Sequence, residues 1–137
     1  EITYGGFYSG QRIYISPDAT LYASKHLYFS LTYEYNNIQF NKYLTDTIST
    51  VFTSNLIRWN ITYNFTTKVS LKFYVQYDDL TDQLSSNLRF RYNPSEGTDL
   101  FIVFNQGTNT NLTRLDPHLP AIDNQAVTLK FIKTFAL

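Results

Sequence analysis

Apolar and polar side chains alternate with a period of two through almost all of this 137-residue chain, and that pattern constrains its fold more than any other feature. Successive side chains of a strand point to opposite faces, so each such stretch acquires one apolar and one polar face. Residues 11–23 set Ile13, Ile15, Ala19 and Leu21 against Arg12, Tyr14, Ser16, Asp18, Thr20 and Tyr22. Residues 26–36 set Leu27, Phe29, Leu31, Tyr33 and Tyr35 against His26, Tyr28, Ser30, Thr32, Glu34 and Asn36. The same alternation recurs in 57–65, where Trp59 lies on the apolar face, and in 68–78, 83–92 and 126–137. Two weaker segments bring the expected count to eight strands: 2–9, with Gly5 and Gly6, and the continuously apolar 99–105. The glycine pair suggests a bulge, and Pro17, which lacks a ladder donor, marks a bulge or break inside 11–23. No stretch carries a helical period.

The connections alternate as well. Ser24-Lys25, Thr66-Thr67 and Asn93–Gly97 are short, whereas 41–50, 79–82 and 106–124 are longer and polar. Short turns at one end and long loops at the other are characteristic of outer-membrane barrels. The longest apolar runs, such as Phe101–Phe104, fall far short of the roughly 20 residues of a transmembrane helix. A barrel is then the membrane-spanning architecture open to such a chain. The expectation is an all-β, antiparallel, up-and-down transmembrane β-barrel of about eight strands. Residues 1–137 would form one barrel domain, with both termini on the periplasmic side of a bacterial outer membrane.

Alternation alone does not say which face meets lipid. A soluble lipocalin-like barrel, carrying an apolar ligand, has the same period with its apolar residues turned inward. Composition and position favour the membrane. Aromatic residues make up 18% of the chain and charged residues 16%, against about 25% charged in average soluble domains. Tyr33, Tyr35 and Tyr77 sit towards the long-loop ends of the apolar faces, and Tyr63 and Tyr92 towards the short-turn ends, as in two interfacial belts. Charges return at the polar phase as Glu34, Arg58, Lys72, Arg89, Arg91 and Lys130, joined by Arg12. These form a candidate polar network lining the lumen. Glu34 and Arg58 fall on neighbouring strands at similar depth and are expected to pair, because a lone charge inside a barrel is costly. The network reads as a structural filling. The sharper alternative is an anion-favouring lumen built on Arg58, Arg89 and Arg91.

Little else suggests chemistry. Formal net charge is +0, which leaves no basic stripe for nucleic acid. The chain has no cysteine, and its histidines, His26 and His118, fall at opposite ends of the expected barrel, so no metal site or cofactor follows. No spacing supports a catalytic residue. Asp78, Asp79 and Asp82 gather in one loop, where their turn-forming habit accounts for them better than a calcium site does. Asn60, Asn64 and Asn111 head sequons, which a bacterial origin would make accidental. The expected role is non-enzymatic: a membrane anchor or scaffold, an adhesin, or a small-solute passage. Its partners would be the lipid bilayer (lipid or lipopolysaccharide) and a larger outer-membrane complex. The amphipathic strand 126–137, ending Phe135-Ala136-Leu137, would be presented to the outer-membrane assembly machinery.

Three stretches carry a family resemblance: SKHLYFSLTYEYN (24–36), LKFYVQYDDLTDQLSSNLRFRYNPSEGTDLFIVFNQG (71–107) and the closing strand. They resemble a Bacteroidetes family of large outer-membrane proteins of unassigned function. Its members typically carry a carbohydrate-binding-like β-sandwich ahead of a membrane barrel. The resemblance spans most of residues 5–137, which would be the C-terminal end of such a barrel; the chain is then either the end of a longer one or a small stand-alone relative. It implies no catalytic residue, and it places any carbohydrate-related role outside these residues.

Overall fold

The computed structural model describes residues 1–8, 10–40 and 51–134. Nine strands form one antiparallel sheet: β1 (Ile2–Phe7), β2 (Gly10–Ile15), β3 (Asp18–Tyr22), β4 (Leu27–Phe40), β5 (Val51–Asn64), β6 (Val69–Asp78), β7 (Gln83–Ser95), β8 (Thr98–Asn109) and β9 (Ile122–Lys133). Neighbours follow sequence order, β1-β2-β4-β5-β6-β7-β8-β9, with β3 also paired to β4. The all-β, antiparallel, up-and-down reading of the period therefore holds.

The ninth strand arises at Pro17. β2 pairs with residues 35–40 of β4 and β3 with residues 28–32 of the same strand. Both fill one position beside β4, and the Tyr33 amide reaches across the break to the Pro17 carbonyl at 3.1 Å. Eight strand positions are thus occupied by nine segments, and the missing amide of Pro17 explains the gap. The Gly5-Gly6 bulge is not formed: β1 and β2 pair without a register shift from Ile2↔Ile15 to Phe7↔Gly10. A bulge lies instead between Tyr92 and Ser95, where β7 runs into the Glu96-Gly97 turn, so 93–97 is more strand than turn. Strands also claim both ends of the expected 106–124 loop, leaving 110–121 as the connection. The 41–50 loop and the terminal Phe135-Ala136-Leu137 lie outside the described residues.

The sheet does not close. Among the described residues β1 pairs only with β2, and β9 only with β8, so the expected closed eight-stranded barrel is corrected to an open sheet. A physical reason is visible on the polar face. An eight-stranded cylinder is only just wide enough for its side chains. Closing this one would pack Lys72, Arg89, Lys130, Tyr28 and Tyr74 into that space with few acids to offset the cations, and uncompensated buried charge is expensive.

An open single sheet has no interior. Among the described residues no hydrophobic side chain is buried. The surface is 10017 Å², well above the roughly 7,400 Å² expected of a compact 16.0 kDa monomer. The apolar face is correspondingly bare, with Leu31 48% and Trp59 47% exposed. Leu31, Trp59 and Val75 are consecutive partners in one cross-strand row of that face, so the exposure sits in the middle of the sheet.

Candidate functional site

The candidate site is the polar face, and cross-strand register determines which of its residues meet. One row runs Tyr28–Thr62–Lys72–Arg89–Val103–Thr128 from β4 to β9. The next row towards the long loops runs Ser30–Asn60–Tyr74–Asn87–Asn105. On the turn side, Asn64, Ser70, Arg91, Phe101 and Lys130 form a third. Hydroxyls and amides therefore fill the face between the charges. Outside the ambiguous 99–105 segment these residues occupy the polar phase in sequence, but their alignment into rows depends on register, which alternation does not supply.

The six network residues separate into distinct groups. Glu34 accepts a hydrogen bond from Arg58 Nη1, as expected, and Arg58 Nε donates to Gln76 Oε1 at 3.2 Å. Tyr74 donates its hydroxyl to the same Gln76 oxygen. Arg91 belongs to a second group at the turn-side rim, donating to Asp99 Oδ1 at 2.7 Å beneath the Phe101 ring. Past the Tyr92–Leu100 pair, where the apolar rows end, the Asp99 carboxyl is held below the usual carboxylate range. The hydrogen bond from Arg91 is the main cause, followed by that from Asn93. Arg12, at the far side, donates to Asn36 Oδ1 at 2.7 Å and stands over the Phe7 and Tyr14 rings. Lys72, Arg89 and Lys130 have no ion pair among the described residues. The anion-favouring trio of Arg58, Arg89 and Arg91 is thus redrawn, since two of its members are already matched by acids.

Hollows open on this face. One of about 410 Å³ is lined by Lys72, Tyr74, Asn87 and Arg89, with Tyr28 and Thr62 at its side. A second of about 230 Å³ shares Lys72 and Arg89 and adds Arg91 and Phe101. A third of about 220 Å³ joins Arg89 to Lys130 and Thr128.

The five belt tyrosines all fall on the apolar face. Tyr33 and Tyr77 flank Ile57 in one row, and Tyr35 lies opposite Asn55 one step further towards the loops. Tyr63 faces Leu27 and Leu71, and Tyr92 faces Val69 and Leu100 one step further towards the turns.

The acidic loop does structural work. Asp78 accepts from the Leu80 amide at 2.9 Å, an Asx turn, while Asp79 takes the Asn55 amide at 2.6 Å. Asp82, at φ 52°, accepts from Thr110 through its carbonyl, and Arg114 donates to the Thr81 carbonyl, which fastens loop 110–121 onto this turn. No group of three metal-ligating side chains occurs among the described residues. His26 lies at the short-turn end of the sheet beside Lys25 and Lys68, and His118 in loop 110–121. No helix among the described residues is long and apolar enough to cross a membrane, a statement that does not bear on crossing by strands. No family model, curated protein or solved structure matches the chain.

Proposed function

We propose that this sheet is part of the wall of an integral bacterial outer-membrane β-barrel. In this reading it is non-enzymatic and serves as a membrane anchor or a passage for small solutes. Its apolar face meets lipid and its polar face meets a water-filled lumen. The observation that carries the reading is the bare apolar face: rows of Leu, Ile, Phe and Trp cross the sheet with no hydrophobic core behind them. Exposed apolar area on this scale needs a cover, because monomers in water rarely leave more than a few hundred Å² contiguous. The lipocalin-like alternative would turn the apolar face inward around a ligand, whereas that face is bare here.

The belts have a compatible spacing. Eight residues of β4 separate Tyr35 from Leu27, whose row passes through Tyr63, Leu71 and Phe90, and Tyr92 lies two residues further along β7. At ~3.3 Å per residue this is about 33 Å along the strands. Tilted by about 40°, as membrane barrels are, it becomes about 25 Å, the height of an apolar barrel band. Outer-membrane placement and delivery through the closing strand belong to the same proposal.

Trp59 provides the test, because it is the sole tryptophan and sits mid-row on the apolar face. In vesicles carrying brominated acyl chains its emission should be blue-shifted and strongly quenched. Unquenched emission, from protein that stays monodisperse without detergent, would overturn the reading.

A further inference from the structure

We infer that the turn-side half of the polar face is a binding site for a soluble phosphate-class oxyanion, held among Lys72, Arg89 and Lys130. The inference deepens the lumen reading. It rests on that reading for the route by which a solute arrives, and not for the binding chemistry.

The argument begins with a local conflict. Lys72 and Arg89 are direct partners across β6 and β7. Like charges placed opposite one another weaken a sheet, whereas a shared counter-ion would reverse the effect. Elsewhere this face satisfies its cations from within: Arg58 through Glu34, Arg91 through Asp99, Arg12 through Asn36. Among the described residues Lys72, Arg89 and Lys130 have no acidic partner. Arg89 links them in space, because it lines the hollow shared with Lys72 and also the one shared with Lys130.

The surroundings select the ligand. Thr62, only 5% exposed, stands between Tyr28 and Lys72 in the row, and Asn87 borders the same hollow as Arg89. The guanidinium offers a planar fork that fits two oxygens of one tetrahedral anion, while lysines supply point charges around it. Halide ions cannot use the fork in this way, and an apolar ligand gains nothing from these donors. A phosphate group in solution fits better than one in a lipid headgroup, because the face carrying the site is opposite the apolar one.

The test titrates the full chain, in a neutral phosphate-free detergent, with inorganic pyrophosphate while heat is measured. We expect saturable binding, weakened about tenfold by each of Lys72→Gln, Arg89→Gln and Lys130→Gln, the equivalent of about 1.4 kcal/mol. Arg12→Gln should bind as the parent does. Lys72→Gln and Arg89→Gln remove one of two directly opposed cations and should fold. As a second readout, pyrophosphate should raise the thermal midpoint of the parent and leave that of Arg89→Gln unmoved. Absence of saturable binding, equal loss in Arg12→Gln, or competition by phosphatidic acid but not by inorganic phosphate would overturn the inference. Quenched Trp59 without anion binding sinks the site and leaves the barrel reading standing. Anion binding with unquenched Trp59 does the reverse.

Discussion

A cation on this sheet has a different energetic situation according to what register places beside it. Arg58 and Glu34 are partly exposed, with side chains 33% and 25% accessible, so their pairing is worth less than that of a fully buried pair. Glu34→Gln removes the charge that Arg58 faces and should lower stability by about 1–2 kcal/mol in a urea titration. Adding Arg58→Gln should recover part of that loss, and strictly additive effects would show that the two side chains do not interact. At the rim, carbon-detected titration of the Asp99 carboxyl should place its midpoint below the ordinary carboxylate range. Arg91→Ala should bring it back up, because the bond from Arg91 is the main cause of the depression. Any stability contributed by Asp99 is accordingly complete above the unfolded carboxylate pKa and is lost as pH falls through the lowered one. Of these contacts, the Glu34–Arg58 pair was legible in the sequence, since both residues share the polar phase on adjacent strands. Asp99 was hidden in the continuously apolar 99–105 segment, where phase is ambiguous, and the opposition of Lys72 to Arg89 needed the register set by the turn at 79–82.

At the scale of elements, the pattern located strands better than their ends. β4 and β5 extend to Phe40 and back to Val51, beyond the alternation read over 26–36 and 57–65. The extension replaces apolar residues with Asn37, Gln39, Asn55 and Thr53, where the alternation stops although backbone pairing continues. Glycines illustrate a second limit. Gly10 reads as a turn residue, yet an added Cβ there would stand 2.1 Å from the Gln39 carbonyl oxygen, so the backbones of β2 and β4 approach too closely for a side chain. At Gly107 the nearest atom is the Asn124 side-chain amide at 2.6 Å, which can swing away. Gly10→Ala should therefore cost about 1–3 kcal/mol as an overpacked site, read from the unfolding midpoint in urea. Gly107→Ala should cost clearly less, and equal shifts in the two variants would contradict the register between β2 and β4.

For the whole molecule the decisive property is the pair of open edges. Leu129 is 69% exposed in β9 and Ile2 77% in β1, against 47% for Trp59 in the central β5, so exposure increases where a strand has one neighbour instead of two. Alternation could indicate a two-faced sheet, but it carries no information on closure, because the pattern of an edge strand and of a paired strand is the same. Closure depends on whether the last strand finds the first, and here β1 and β9 do not pair. Unpaired edge amides exchange with solvent, whereas amides held on both sides do not. Hydrogen exchange on the chain in detergent should therefore show protection centred on β5 and β6, with fast exchange at the outward amides of β1 and β9. Uniform protection across all strands would mean that the edges are paired and that the sheet closes, either on itself or on additional strands. Fast exchange confined to the two edges would instead identify β1 and β9 as open seams, the positions at which the proposed barrel would be completed.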